Sequence, residues 1–146
     1  MGLDNLLDIS LEKVVPDAAV VRRLLSAAAR NLSDAQVIEI SIENRFDAAY
    51  KAIMQIANAA LQANGYRTLT SKPGHHMTMI QTLSQTMGVS KETVIVLDAL
   101  RKQRNVADYS GDTVTESALA ECLVQADLLQ QRAIDWMKVN MPECLR

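Results

Sequence analysis

A chain of 146 residues with a formal charge of −2 has no global attraction for nucleic acid or an anionic membrane, so either would have to be bound by a local cluster of cations. Hydrophobic residues make up 49% and charged residues 22%, a balance that suits one soluble domain with a sizeable core and excludes a disordered chain. Aromatics are only 3%, so aliphatic side chains must fill that core between closely spaced elements.

Two cysteines, Cys122 and Cys144, show neither metal-site spacing nor a disulfide framework. Cys122 reads as a small buried apolar residue and Cys144 as a tail thiol. The N-terminus lacks a basic segment followed by an apolar run, and no apolar stretch approaches membrane-spanning length. The expectation is a soluble protein of a reducing cytoplasm, with no membrane partner.

In chain order, Leu3, Leu6, Leu7 and Leu11 make a short amphipathic pattern that Pro16 ends. Asp17 can cap a helix to about Arg30, with Val20, Leu24 and Ala28 at helical spacing. Ser33 is the next cap candidate. From it the longest helical pattern runs to about Asn64, where Gly65 supplies the stop. Its stripe is Ile38, Ile42, Phe46, Ala49, Ile53, Ile56 and Ala60, and Ala49 and Ala60 are small enough to admit a close partner helix. Arg45 sits at the edge of this stripe, a guanidinium bordering the core.

Residues 65–74 read as a loop from their turn chemistry. A further helix is predicted over 75–87, with His76, Ile80, Leu83 and Met87 on one face and Gly88 at its end. Ser90 opens the next helix, which reaches about Asn105 before Ser110-Gly111-Asp112 breaks the chain. Thr113 or Thr115 can cap the last helix, to about Val139, which turns Leu119, Cys122, Leu123, Ala126, Ala133 and Met137 inward before Pro142. Leu128, Leu129 and Trp136 fall off the centre of that stripe and predict a second covered surface. No segment alternates with period two. The pattern gives an all-α fold, an antiparallel bundle of four to five main helices with an extra N-terminal helix. It forms one domain, with residues 1–32 as an N-terminal extension and 33–139 as the bundle.

The densest polar cluster follows an apolar helical start. Val94, Leu97, Arg101 and Arg104 share one stripe, so two guanidinium groups extend the core-facing side of the helix. They must snorkel to an edge or meet Asp98, Asn105, Asp108 and Tyr109 in a partly buried network. Arginine offers a rigid fork suited to phosphate, and asparagine adds neutral hydrogen bonding. Arg101, Arg104, Asn105, Asp108 and Tyr109 are therefore candidate binding residues, with Arg45 and His76 beside them. The plain alternative is a structural network, in which Asp98 or Asp108 pairs with an arginine and Tyr109 closes a helix-to-loop corner.

His75 and His76 point about 100° apart if helical, which does not suit a shared metal, and His76 on the apolar stripe reads as a core or cleft histidine. Met54, Met77, Met79 and Met87 read as gap fillers. A glycine-rich phosphate loop and a Ser-His-Asp or Cys-His nucleophile are missing from the sequence, so neither cofactor nor metal is expected.

Three stretches resemble the HEPN family of helical domains: Arg45-Phe46-Asp47-Ala48-Ala49-Tyr50-Lys51-Ala52-Ile53, like the aromatic- and Ala-rich core helix of small prokaryotic members; Pro73-Gly74-His75-His76, a loop opening the next helix; and Arg101-Lys102-Gln103-Arg104-Asn105-Val106-Ala107-Asp108-Tyr109, like the family's Arg-Asn element. The resemblance covers about residues 40–138. It implies an up-down bundle that dimerises. In many members it also implies a metal-independent endoribonuclease, a toxin paired with a nucleotidyltransferase antitoxin. There an Arg, a polar residue and a His four to six positions on meet across the dimer. Arg104 and Asn105 match the first two positions, whereas Tyr109 stands where His is expected. A tyrosine, with a reference pKa of about 10, is a poor general base near neutral pH.

The resulting expectation is a non-catalytic dimeric module that binds nucleotide, RNA or a partner protein, in a toxin–antitoxin or defence setting. The alternatives are an endoribonuclease using Arg104, Asn105 and Tyr109, with His76 or Tyr109 moving the proton, and a helical scaffold.

Overall fold

The computed structural model describes residues 2–71, 74–111 and 113–146; Pro73 of the quoted loop and Asp112 of the chain break lie outside them. Six α-helices carry the described fold: α1 Ala18–Ala35, α2 Ile42–Ala63, α3 His75–Gln81, α4 Leu83–Met87, α5 Lys91–Ser110 and α6 Glu116–Asn140. Two short strands, β1 Leu11–Lys13 and β2 Tyr66–Thr68, pair antiparallel with Leu11 opposite Thr68. At three residues each they are too short to show alternation, which is why the sequence pattern passed over them. The fold is all-α, as expected, and no described helix is long and apolar enough to cross a membrane.

Side-chain caps fix four helix starts. Asp17, Ser41, Ser90 and Thr115 each accept a backbone N–H from the first turn, at 2.9, 3.1, 3.2 and 3.0 Å. Ser41, not Ser33, opens the long helix. Helix α1 runs past Ser33 because Leu32 and Ala35 are buried in the main core. Ile38 is 78% exposed, so the stripe assigned from it begins only at Ile42. Position 32 thus lies inside α1, which packs along α2 and shares its core rather than forming an appended segment.

The helix expected over 75–87 is divided at Thr82, whose hydroxyl donates back to the Thr78 carbonyl at 2.9 Å. Helix α5 continues to Ser110, so Asn105 to Tyr109 lie on a helix and not at a corner. Leu129 is 3% exposed and Trp136 half-buried against the core, so of the three residues assigned to a second surface only Leu128 is open. Cys144, the tail thiol, is a free cysteine buried with Val21, Ala59, Met137 and Met141. Cys122 is buried as expected, which pushes its thiol up to about 12.

Helix α2 is the axis of the molecule. It meets α1, α3, α4, α5, α6 and β2, and its alanines 49, 52, 57, 59 and 60 are all buried. Small side chains on several faces let neighbours approach closely, and they leave no slack for a larger one. Ala60→Leu is therefore expected to destabilise the protein by about 1–3 kcal/mol through overpacking, read as a lower urea midpoint at unchanged slope.

Candidate functional site

One stripe of α2 escapes burial. Asp47, Lys51, Gln55 and Asn58 recur at helical spacing along it and line a cleft of about 400 Å³. The opposite wall is α3, through His75, His76 and Met79, and Arg104 of α5 closes one end. Tyr50 and Met54 of α2 complete the apolar floor.

The cationic end is built from residues distant in sequence. Arg104 Nε lies 3.1 Å from Asp47 Oδ1 and 3.2 Å from Asp108 Oδ2, and the guanidinium sits 5.3 Å from the Tyr50 ring centre. Burial works against the Arg104 charge, but the hydrogen bond that Arg104 donates to Asp47 and the charge of Asp108 outweigh it and hold its pKa above the ordinary arginine value. Both carboxylates engage Nε, and the terminal amino groups have no hydrogen-bonded partner among the described residues. Lys51 is exposed at the same wall, without an ion-pair partner among the described residues.

Next to this end, the Tyr50 hydroxyl and His76 Nδ1 are 3.3 Å apart. Burial pushes Tyr50 up to about 12, against the lowering charges of Arg104 and Arg101. Burial also holds His76 below its ordinary 6.5, helped by His75, Arg104 and Arg101. Both rings are neutral at pH 7 on these grounds. The His75 and His76 rings meet edge-on with centres 4.8 Å apart. No described group of three or more His, Cys, Asp or Glu side chains is placed to hold a metal ion.

The predicted cluster on α5 divides. Arg104 and Asp108 stay together, one turn apart, as the i,i+4 spacing requires. Arg101 Nε instead bonds Asp98 Oδ1 at 2.8 Å, a half-buried pair that Lys102 joins at 3.5 Å. Burial alone would raise the Asp98 carboxyl, but Arg101 and Lys102 hold it below its ordinary value. Asn105 is half-buried beside Arg104 but does not line the cleft. Tyr109 is 91% exposed: five positions from Arg104 turns it about 140° around the helix, so one chain does not assemble an Arg104–Asn105–Tyr109 constellation. Arg45 is a cap, its Nε donating to the Ala35 carbonyl at 2.8 Å, away from the cleft.

His76, read from the sequence as a core or cleft histidine, lines this cleft with Arg104; the other lining residues, among them Asp47, Tyr50, Lys51, Gln55, Asn58, Thr70 and His75, were not among the residues the sequence singled out as a site. The signal for Gln55 and Asn58 lay in the sequence, as a polar stripe on an otherwise apolar helix. Comparison with known protein families gives no match for this chain, and comparison with curated proteins gives none either.

The depressed His76 pKa has a thermodynamic consequence. Well above pH 6.5 neither folded nor unfolded chain protonates this group, so it adds no pH dependence to stability there. As pH falls through 6.5 the unfolded chain takes up the proton first, so stability drops until the folded pKa is also passed. Melting temperature should fall between pH 7 and pH 5 more steeply in the native chain than in His76→Gln. Equal slopes would contradict the assigned burial.

Proposed function

We propose that the chain is a HEPN-like dimeric module that binds the phosphate of a nucleotide or of single-stranded RNA in the α2–α3–α5 cleft. The observation that carries this reading is the convergence of Arg104, Lys51, Tyr50 and His76 on one cleft. A guanidinium with spare terminal donors and a nearby ammonium suit a phosphate, and the neutral rings suit the sugar. Dimer formation is supported by apolar side chains left open on several elements, Ile38, Ile95, Val124 and Leu128 among them. Light scattering at micromolar concentration should give twice 16.1 kDa; a persistent monomer would remove the dimer from the proposal. A nucleotidyltransferase-type antitoxin is the protein partner this reading favours.

Binding is expected to be local and salt-sensitive. With Arg104 and Lys51 as the phosphate contacts, the slope of log affinity against log salt for a single strand should be about −1 to −2. Arg104→Ala should weaken binding about tenfold or more and flatten that slope. Affinity unchanged by Arg104→Ala would move the site elsewhere.

A second reading, a metal-independent endoribonuclease, is favoured by one observation: a histidine shares the cleft with Arg104 although none follows it in sequence. His76 then takes the proton role expected at Tyr109. Under the binding reading, RNA incubated without metal stays intact. Under the nuclease reading it is cut, and His76→Ala and Arg104→Ala each abolish cleavage while Tyr109→Phe does not.

A further inference from the structure

The half of the cleft away from Arg104 is built differently. Gln55 and Asn58 stand one turn apart on α2, half-buried, and their carbonyl oxygens are already engaged. Gln55 Oε1 accepts from Asn31 Nδ2 of α1 at 2.8 Å, and Asn58 Oδ1 accepts from Gln62 Nε2 at 3.4 Å. Each amide therefore has its NH2 group without a protein partner among the described residues, in a wall already partly withdrawn from water. Donors left in that state favour a ligand that supplies acceptors. Met54 and Met79, both buried, add apolar and polarisable surface of the kind that packs against an aromatic ring.

Distance along the helix connects the two ends. From Lys51 to Asn58 the rise is about 10 Å, comparable to the reach of one nucleotide from phosphate to base. A cleft of about 400 Å³ falls in the range of small-molecule sites and admits one nucleotide rather than a duplex.

We infer that the cleft takes a single nucleotide with its phosphate at Arg104 and Lys51 and its base at Gln55 and Asn58, and that among purines it selects guanine. The selection follows from edge chemistry. Guanine presents two adjacent acceptors, O6 and N7, whereas adenine places its N6 donor beside N7. Adenine would set a donor against a donor and leave a half-buried amide unpaired. This inference rests on the nucleotide-binding reading above and adds to it which base is read, and by which residues.

Calorimetric titration of the full chain with GMP and AMP tests it, because both carry the same sugar and phosphate. GMP should bind about tenfold or more tighter than AMP. Gln55→Glu keeps the oxygen that Asn31 needs and removes the NH2 donor; Asn58→Asp does the same toward Gln62. Each should bring the GMP-to-AMP affinity ratio to one or below, because the new carboxylate accepts from adenine N6–H and repels guanine O6 and N7. The added charge repels both phosphates alike, so the ratio reports on the base. Lys51→Ala should weaken both ligands with the ratio preserved. Circular dichroism identifies a variant that has lost its helices, and the other amide variant then decides. Equal GMP and AMP affinities that still depend on Arg104 would overturn the base selection and leave the binding reading intact. A preference for GMP that survives both amide variants would overturn the assignment to these residues. No binding of either nucleotide would overturn this inference together with the nucleotide part of the reading on which it rests.

Discussion

Burial of α2 is the constraint from which the rest follows. A helix with alanines on several faces can be surrounded at close range, and α1, α6 and the α3–α5 segment occupy those faces. Alanine loses no side-chain entropy on burial and has a high helix propensity, so this arrangement favours the central helix both locally and in packing. The consequence for function is geometric. Once the other faces are covered, the polar stripe from Asp47 to Asn58 must border an opening, because lysine and carboxylate cannot be sealed off unpaired. The cleft is the part of α2 that its neighbours do not cover.

The arginines at the core edge show how alike residues come to different ends. Arg45 and Arg132 bond carbonyls at helix ends, Arg45 at Ala35 at 2.8 Å, and Arg132 at Met87 and Gly88, both at 2.9 Å. Those contacts satisfy acceptors that a helix terminus would otherwise leave open. Arg101 and Asp98 pair with 16% and 20% of their side chains exposed, dry enough for the pair to be costly to separate. Arg104 pairs with carboxylates that are 53% and 51% exposed. Ion pairs that wet contribute about 0–1 kcal/mol, so this guanidinium can leave its carboxylates at little cost. Exposure of the partner carboxylates, rather than the count of arginines, separates the structural pair from the exchangeable one.

Much of this was legible in the sequence, and the misses have physical causes. Local capping chemistry located Asp17 and Ser90 and offered Thr115 beside Thr113, and the 3.6-residue period located the core face of α2. Ser33 failed as a cap because Leu32 and Ala35 gain more by being buried in a continuous helix than the chain gains by turning there. A serine can stop a helix or ride on it, and only tertiary packing decides. Tyr109 was placed in the site on the assumption of a loop after Asn105; one further turn and a half of helix carries it out to solvent. Arg45 looked like a site residue because a cap to a distant carbonyl leaves no periodic trace. The approach of α3 to Arg104 is a long-range event, so the position of His76 in the chain could not announce its neighbours.

Charge in the cleft sets what it can hold. Burial keeps Tyr50 protonated and His76 unprotonated at neutral pH, so neither contributes charge there. Arg104 and Lys51 supply two positive charges, and Asp47 and Asp108 return two negative ones beside Arg104. A site with that balance cannot attract an anion from afar, and on an acidic chain it is poorly suited to non-specific capture of nucleic acid. What remains is short-range recognition: the guanidinium fork, the amide donors and the apolar floor. The Tyr50–His76 contact admits two proton arrangements, and they separate binding from catalysis. With Tyr50 donating to Nδ1, the neutral imidazole carries its proton on Nε2 and can only donate to a ligand. With Nδ1 donating to the phenol oxygen, Nε2 is left as a base. Tyr50 keeps its proton in either arrangement, so the partner at Nε2 decides between them: an acceptor there favours the first tautomer and a donor the second.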